Sequence, residues 1–126
     1  MSEDLVSVRY MVDDVDAAIK WYTRHLGFSL LNDRAPAFAD VKRGSLRLLL
    51  SGETSSAGRA MPDGEQPRPG GWNRIHPVVD DLASEVARLR AGVRFRNDVV
   101  SGPGGSQVLL MDPSGNLIEL FEPAHH

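Results

Sequence analysis

The chain states nearly the same pattern twice, and that repetition constrains its fold more than any single residue does. Val12-Asp13-Asp14-Val15 opens one helical pattern, and Val79-Asp80-Asp81-Leu82 opens another 67 positions later. Gly44-Ser45-Leu46-Arg47-Leu48-Leu49 is echoed by Gly115-Asn116-Leu117-Ile118-Glu119-Leu120 at an offset of 71. A period of this size means one supersecondary unit used twice. Each copy is about 55–60 residues, marginal for a core of its own. The two halves of this 126-residue domain are therefore expected to share a core or to pack on a partner chain.

Within each copy the periodicity changes in the same order. Residues 5–12 are β-branched and aromatic with a period near two, which predicts a strand carrying Ser7, Arg9 and Met11 on one face and Val8, Tyr10 and Val12 on the other. Asp14 is placed to cap a helix with an apolar stripe of Val15, Ala18, Ile19, Tyr22 and Leu26, ended by Gly27. A short strand over 28–31 follows, then a hairpin of 37–41 and 46–50. The second copy predicts a strand over 72–79, a helix capped by Asp81, a strand over 93–95, and a hairpin of 107–111 and 117–121. The hairpin turn Asp112-Pro113-Ser114-Gly115 suits a type I turn. Between the copies, residues 53–70 are rich in Gly, Pro and Ser and read as a linker. At 18 residues it is long enough to serve as a lid or a mobile connection. Gly102-Pro103-Gly104-Gly105 lacks a following helix and a Lys, so it reads as a flexible loop and not as a phosphate loop.

Composition removes several function classes. Apolar residues make up 41% and charged residues 25%, as in a globular chain, and a net charge of −3 disfavours nucleic acid and anionic membrane as partners. The local basic cluster Arg88, Arg90, Arg94 and Arg96 reads as a solvated helix end and strand start, with a phosphate site the alternative. There is no cysteine, which excludes disulfides, thiolate metal sites and thiol catalysis and fits a cytoplasmic location. The acidic start Met1-Ser2-Glu3-Asp4 has no apolar run behind it, so no signal peptide is predicted. His125 and His126 carry no weight in the argument.

The stretches Asp-Asp-Val-Asp-Ala-Ala…Trp-Tyr…Leu-Gly-Phe (13–28) and Asp-Pro-Ser-Gly-Asn-Leu-Ile-Glu-Leu (112–120), set in this repeat, resemble the vicinal oxygen chelate superfamily. Its members include glyoxalase I, bleomycin resistance proteins, fosfomycin resistance enzymes and extradiol dioxygenases. The resemblance implies an α+β chain of two tandem βαβββ modules, here 1–52 and 71–126 around the linker 53–70, whose curved mixed sheets enclose a cleft. It also implies a homodimer, for which the long linker would permit exchange of modules between chains.

Metal-using members place ligands on the first and fourth strands of each module. By resemblance, and by the two offsets of the repeat, those positions are Ser7, Leu48, Arg74 and Glu119. A divalent ion needs several converging N or O donors. Only Glu119 is a good ligand: Ser7 is a poor one, Leu48 is none, and Arg74 is a permanent cation. Arg74 either pairs with Glu119 or binds an anionic ligand. His76 shares a strand face with Arg74, so it is a candidate general base beside Glu119, or simply a hydrogen-bonded histidine. A displaced divalent-metal site around His76 and Glu119 would need a third ligand, and the facing of Asp40 stays open.

The residues expected to line the ligand site are Arg9, Phe38, Leu48, Trp72, Arg74, His76, Met111, Glu119 and Phe121. A mostly apolar cleft with a few polar groups suits a small molecule. The reading that follows is a binding protein for a hydrophobic or aromatic ligand, without metal or other cofactor, similar to the bleomycin resistance proteins and so a candidate for antibiotic resistance. The alternative is a glyoxalase-like lyase, isomerase or dioxygenase that uses a nonstandard metal site around His76 and Glu119, or acid–base chemistry there without metal.

Overall fold

Two copies of one strand–helix–strand–strand–strand plan build two units, Met1–Gly70 and Gly71–His126, in a computed structural model that describes residues 4–125. Met1–Glu3 and His126, which carry part of the N-terminal and terminal-histidine readings, lie outside the described residues.

In the first unit, β1 (Val6–Met11) leads to α1 (Val15–His25), then to β2 (Ser29–Arg34), β3 (Phe38–Arg43) and β4 (Leu46–Ser51). Asp14 caps α1 as the sequence requires, its Oδ1 accepting the amide of Ala17 at 3.1 Å. At the other end Gly27 takes a φ of 69°, where a Cβ would be strained, and turns the chain so that Phe28 N–H reaches back to the Tyr22 carbonyl at 3.3 Å. The strand order is β1-β4-β3-β2, with β1 parallel to β4 and the rest antiparallel. Tyr10, Ala39, Val41, Leu48 and Leu50 are buried on the face shared with α1, against Val15, Ala18, Trp21 and Tyr22. Trp21 joins that core, its ring edge-on to Tyr22 at 4.8 Å.

In the second unit, β5 (Arg74–Ile75) leads to α2 (Leu82–Leu89), β6 (Arg94–Phe95), β7 (Val100–Gly102), β8 (Gly105–Met111) and β9 (Leu117–Pro123). Asp81 caps α2, accepting the Ser84 amide at 3.1 Å and its hydroxyl at 2.8 Å, and these bonds hold its carboxyl below the ordinary aspartate value, the amide bond foremost. Glu122 of β9 takes the Leu82 amide at 2.8 Å and ties α2 to the sheet. Leu110, Ile118 and Leu120 are buried with Leu82, Val86 and Leu89 of α2. The order is β5-β9-β8, with β6 and β7 both on the far edge of β8, so together they are the counterpart of β2.

Three expectations need correction. The two modules are present, but their sheets do not curve or close: each is an open sheet, one with β1 and β2 as edges, the other with β5 and the β6–β7 strand as edges. A sheet closes only when its two edge strands pair; β1 and β2 do not pair with each other, and in the second unit the edge strands β5 and β6 bond to one neighbour over only two residues each. The strand expected over 72–79 shrinks to Arg74–Ile75 because Pro77 has no amide to donate. Its carbonyl still accepts from Phe121 at 3.1 Å, and Val79 N–H reaches the Phe121 carbonyl at 2.8 Å. The glycine-rich stretch expected to be a flexible loop is instead a tight hairpin, in which Gly102 pairs with Gly105 around Pro103-Gly104. No described helix is long and apolar enough to cross a membrane.

Candidate functional site

Alternation along β5 and β9 sends Ile75, Ile118 and Leu120 to the α2 side and leaves Arg74, His76, Leu117, Glu119 and Phe121 on the other face. Glu119 is the buried member of this polar set, its side chain 9% exposed. Its Oε1 accepts from Arg74 Nε at 3.0 Å, with the second guanidinium nitrogen also at 3.0 Å. Its Oε2 lies 3.1 Å from His76 Nε2. The third arm of Arg74 donates to the Trp72 carbonyl at 3.2 Å, and the His76 ring lies over Phe121 with centroids 4.8 Å apart. The sequence left Arg74 with two roles; the geometry commits its guanidinium to Glu119 and to the main chain.

The equivalent face in the first unit is differently furnished. Arg9 donates to Ser51 Oγ at 2.9 Å and lines a cavity of about 390 Å³ with Phe38, Ala37 and Thr54–Ser56. Asp40, whose facing the sequence left open, lies opposite Leu49 and is buried. Arg47 Nε reaches its Oδ2 at 2.7 Å, and its Oδ1 has no hydrogen-bond partner among the described residues. A guanidinium–carboxylate pair is thus present on both sheets.

Leu48 requires correction. It is fully buried on the α1 side and does not reach this face. Ser7 is opposite Arg47 in the parallel β1–β4 ladder, and Arg74 is opposite Leu117 in the β5–β9 ladder. With Ser7 and Arg74 as equivalents, Leu48 matches Ile118, and the counterpart of Glu119 is Leu49. Aligning Gly44 with Gly115 slipped the last strand by one because the two hairpin turns differ in length. Two residues separate Arg43 from Leu46, but Asp112–Asn116 intervene between Met111 and Leu117, closed by Asp112 N–H to the Asn116 carbonyl at 2.9 Å. A slip of one residue inverts every side chain on a strand.

The second unit also holds a feature outside the repeat positions. Trp72 is 64% exposed, and the Arg96 guanidinium lies 5.3 Å from its ring centroid. Together with Gly71, Met111, Gly115 and Leu117 they line a cavity of about 230 Å³. Met111 was expected at the site, but Arg96 was read as part of a solvated cluster. No sequence signal separates it from Arg94, which donates instead to the Asp112 carbonyl.

The donor set does not fit a divalent metal. Of the four positions that the resemblance implies, read with Leu49 in place of Leu48, only Glu119 is a good ligand, and both of its oxygens already face nitrogens of Arg74 and His76. Arg74 adds a fixed positive charge where the ion would sit. Among the described residues no three His, Cys, Asp or Glu side chains are grouped to hold an ion.

The paired βαβββ modules, the Asp-Pro-x-Gly-Asn hairpin and the glutamate two residues into the last strand point to one family, and its profile decides the matter. The Glyoxalase/Bleomycin resistance protein/Dioxygenase superfamily profile matches residues 4–120. The chain belongs to this superfamily. Among solved structures of the superfamily's fold, it is similar to lactoylglutathione lyase from Agrobacterium tumefaciens, with 25% identity over 96% of this chain and 94% of that one and a TM-score of 0.71. It is similar to TnmS3, an antibiotic binding protein from Streptomyces sp. CB03234, with 27% identity over 98% of both chains and a TM-score of 0.72. TioX from Micromonospora sp. ML1 shares the fold at 21% identity, 95% of this chain and 98% of that one, with a TM-score of 0.76. Comparison with curated proteins gave no significant match. Superfamily members of both enzymatic and ligand-binding kinds therefore share this fold, and the fold alone does not choose between them.

Proposed function

We propose that this superfamily member is a metal-independent binding protein for a hydrophobic or aromatic small molecule, an antibiotic among the candidates. The observation that carries the reading is the closure of Glu119 by Arg74 and His76, an ion pair at a position that the family resemblance assigns to a metal ligand. A guanidinium with two nitrogens on one carboxylate oxygen supplies the charge compensation that a cation would give. The likeness to the antibiotic-binding TnmS3 supports a binding role. The likeness to a lyase supports the alternative, a lyase, isomerase or dioxygenase, but that reading has to draw its chemistry from His76 and Glu119 alone. The further expectations are a homodimer and a cytoplasmic location.

The test is the metal content of untagged protein, with thermal melts in chelator and in added Zn²⁺, Ni²⁺, Mn²⁺ and Fe²⁺, followed by calorimetric titration with a panel of aromatic compounds. The proposal expects no stoichiometric metal, no shift with chelator, and micromolar binding without turnover. A bound metal whose removal lowers the melting temperature overturns it.

A further inference from the structure

We propose that the Trp72–Arg96 platform is a binding subsite for a planar ring bearing an anionic oxygen, a carboxylate or an ionised phenol. This deepens the proposed function by naming a ligand class and rests on that reading.

Four observations in the second unit converge. First, a tryptophan with 64% of its surface exposed is a large apolar area left in water. Its indole N–H has no hydrogen-bond partner among the described residues, so the ring offers both a stacking face and a donor. Second, the guanidinium of Arg96 sits over that ring with no carboxylate in ion-pair reach among the described residues. Its neighbours Arg74 and Arg94 are committed, the first to Glu119 and the Trp72 carbonyl, the second to the Asp112 carbonyl. Arg96 is the cation left to meet a ligand charge.

Third, the main chain fixes Arg96 at the sheet edge. The ladder between β6 and β8 ends with Arg96 N–H on the Leu109 carbonyl at 2.8 Å, and the next residue, Asn97, turns its side-chain oxygen onto the Leu109 amide at 2.9 Å. Asn97 so replaces a backbone acceptor, the edge strand breaks between β6 and β7, and Arg96 is anchored at the break. Fourth, the adjoining cavity of about 230 Å³ has Met111 and Leu117 as apolar walls and two bare glycines, Gly71 and Gly115. Those glycines have φ of 91° and 86°, a region that disfavours any side chain, so the space stays open. The cavity is smaller than the ~300–1,000 Å³ of drug-sized pockets, so it accepts one ring system and not the whole of a large ligand. An apolar slot beside a guanidinium that has no carboxylate partner among the described residues selects a flat ring with a negative edge. A neutral ring would leave Arg96 without a counter-charge, and an aliphatic acid would leave the indole face unused.

The test is isothermal titration calorimetry of the full chain with three probes: 2-naphthoate, its neutral amide 2-naphthamide, and cyclohexanecarboxylate. The acid is expected to bind at least ~tenfold more tightly than the amide or the aliphatic acid, and to lose affinity as salt rises from about 50 to about 300 mM, as a partly exposed ion pair does. Arg96→Ala should weaken 2-naphthoate about tenfold and leave 2-naphthamide unchanged. Trp72→Ala should weaken both aromatic probes. Both residues lie at the surface, and unchanged melting temperatures would confirm that the variants fold. If the amide binds as tightly as the acid, or Arg96→Ala leaves the acid's affinity intact, the anionic subsite is overturned while small-molecule binding stands. If neither these probes nor the wider aromatic panel binds, both the subsite and the proposed function fall.

Discussion

Replacing Arg74 by methionine keeps most of the apolar stem and removes the guanidinium, which leaves Glu119 with His76 alone. The size of the effect follows from the burial of the two partners. An exposed ion pair contributes about 0–1 kcal/mol, whereas breaking a fully buried one costs about 3–5 kcal/mol. Here the Glu119 side chain is 9% exposed and the Arg74 side chain 31% exposed, so the pair lies between these limits. With His76 retained at 3.1 Å on the other oxygen, Arg74→Met should cost about 2 kcal/mol. For a chain of this size that corresponds to a fall of roughly 8 °C in melting temperature. Urea denaturation should show a lower midpoint with an unchanged slope. The source of the cost is the stranded carboxylate, so adding Glu119→Gln should restore most of the loss, with a coupling of at least ~1 kcal/mol in the double-mutant cycle. A single variant within ~0.5 kcal/mol of the parent, or a double variant whose losses simply add, would refute the pairing as the organising contact of this face.

Three further expectations follow from other parts of the molecule. Arg74→His replaces the fixed cation by an imidazole next to His76 and Glu119, which completes a three-donor set; the variant, unlike its parent, should be stabilised by Zn²⁺ or Ni²⁺ and destabilised by chelator, and identical melts for both would count against Arg74 as the group that keeps a metal from this face. Leu48→Ala should cost about 2–5 kcal/mol as a core truncation and Leu49→Ala less than about 1.5 kcal/mol; equal urea midpoints for the two would contradict the assignment of Leu48 to the core face. Asp81→Ala should destabilise the chain through loss of the α2 cap. Because the folded-state pKa of Asp81 is lowered from 3.8, the carboxylate's contribution is complete above that value and is lost as pH falls through the lower folded value. The gap in stability between the parent and Asp81→Ala should therefore be constant from about pH 7 to about pH 5 and narrow below 3.8; a gap that widens in acid would reverse the sign.

The elements most legible in the sequence are those whose signals are local. Asp14 and Asp81 mark helix starts because an orphaned amide is one turn away, and both make that bond. The apolar stripe of α1 is read from spacing alone, and Val15, Ala18, Tyr22 and Leu26 are buried while Ile19 is half-buried. The Arg74–Glu119 pair was reachable because the repeat supplies two equivalent strands and the family supplies their order, so residues 45 positions apart are placed on neighbouring strands.

The repeated strand–helix–strand–strand–strand plan, the helix caps and the superfamily were readable along the chain. Register, sheet edges and the partners of individual charges were not, because they depend on residues distant in sequence. Leu48 and Leu49 are chemically identical, and the different lengths of the two hairpin turns hid which of them faces the core. Arg94 and Arg96 are likewise identical as letters, yet one meets a main-chain carbonyl and the other lies over a tryptophan 24 positions away. The openness of the sheets depends on which strands are left as unpaired edges, β1 and β2 in one and β5 and the β6–β7 strand in the other. Periodicity is carried by neighbours along the chain, but pairing depends on the strand alongside, and its position is set by the packed whole.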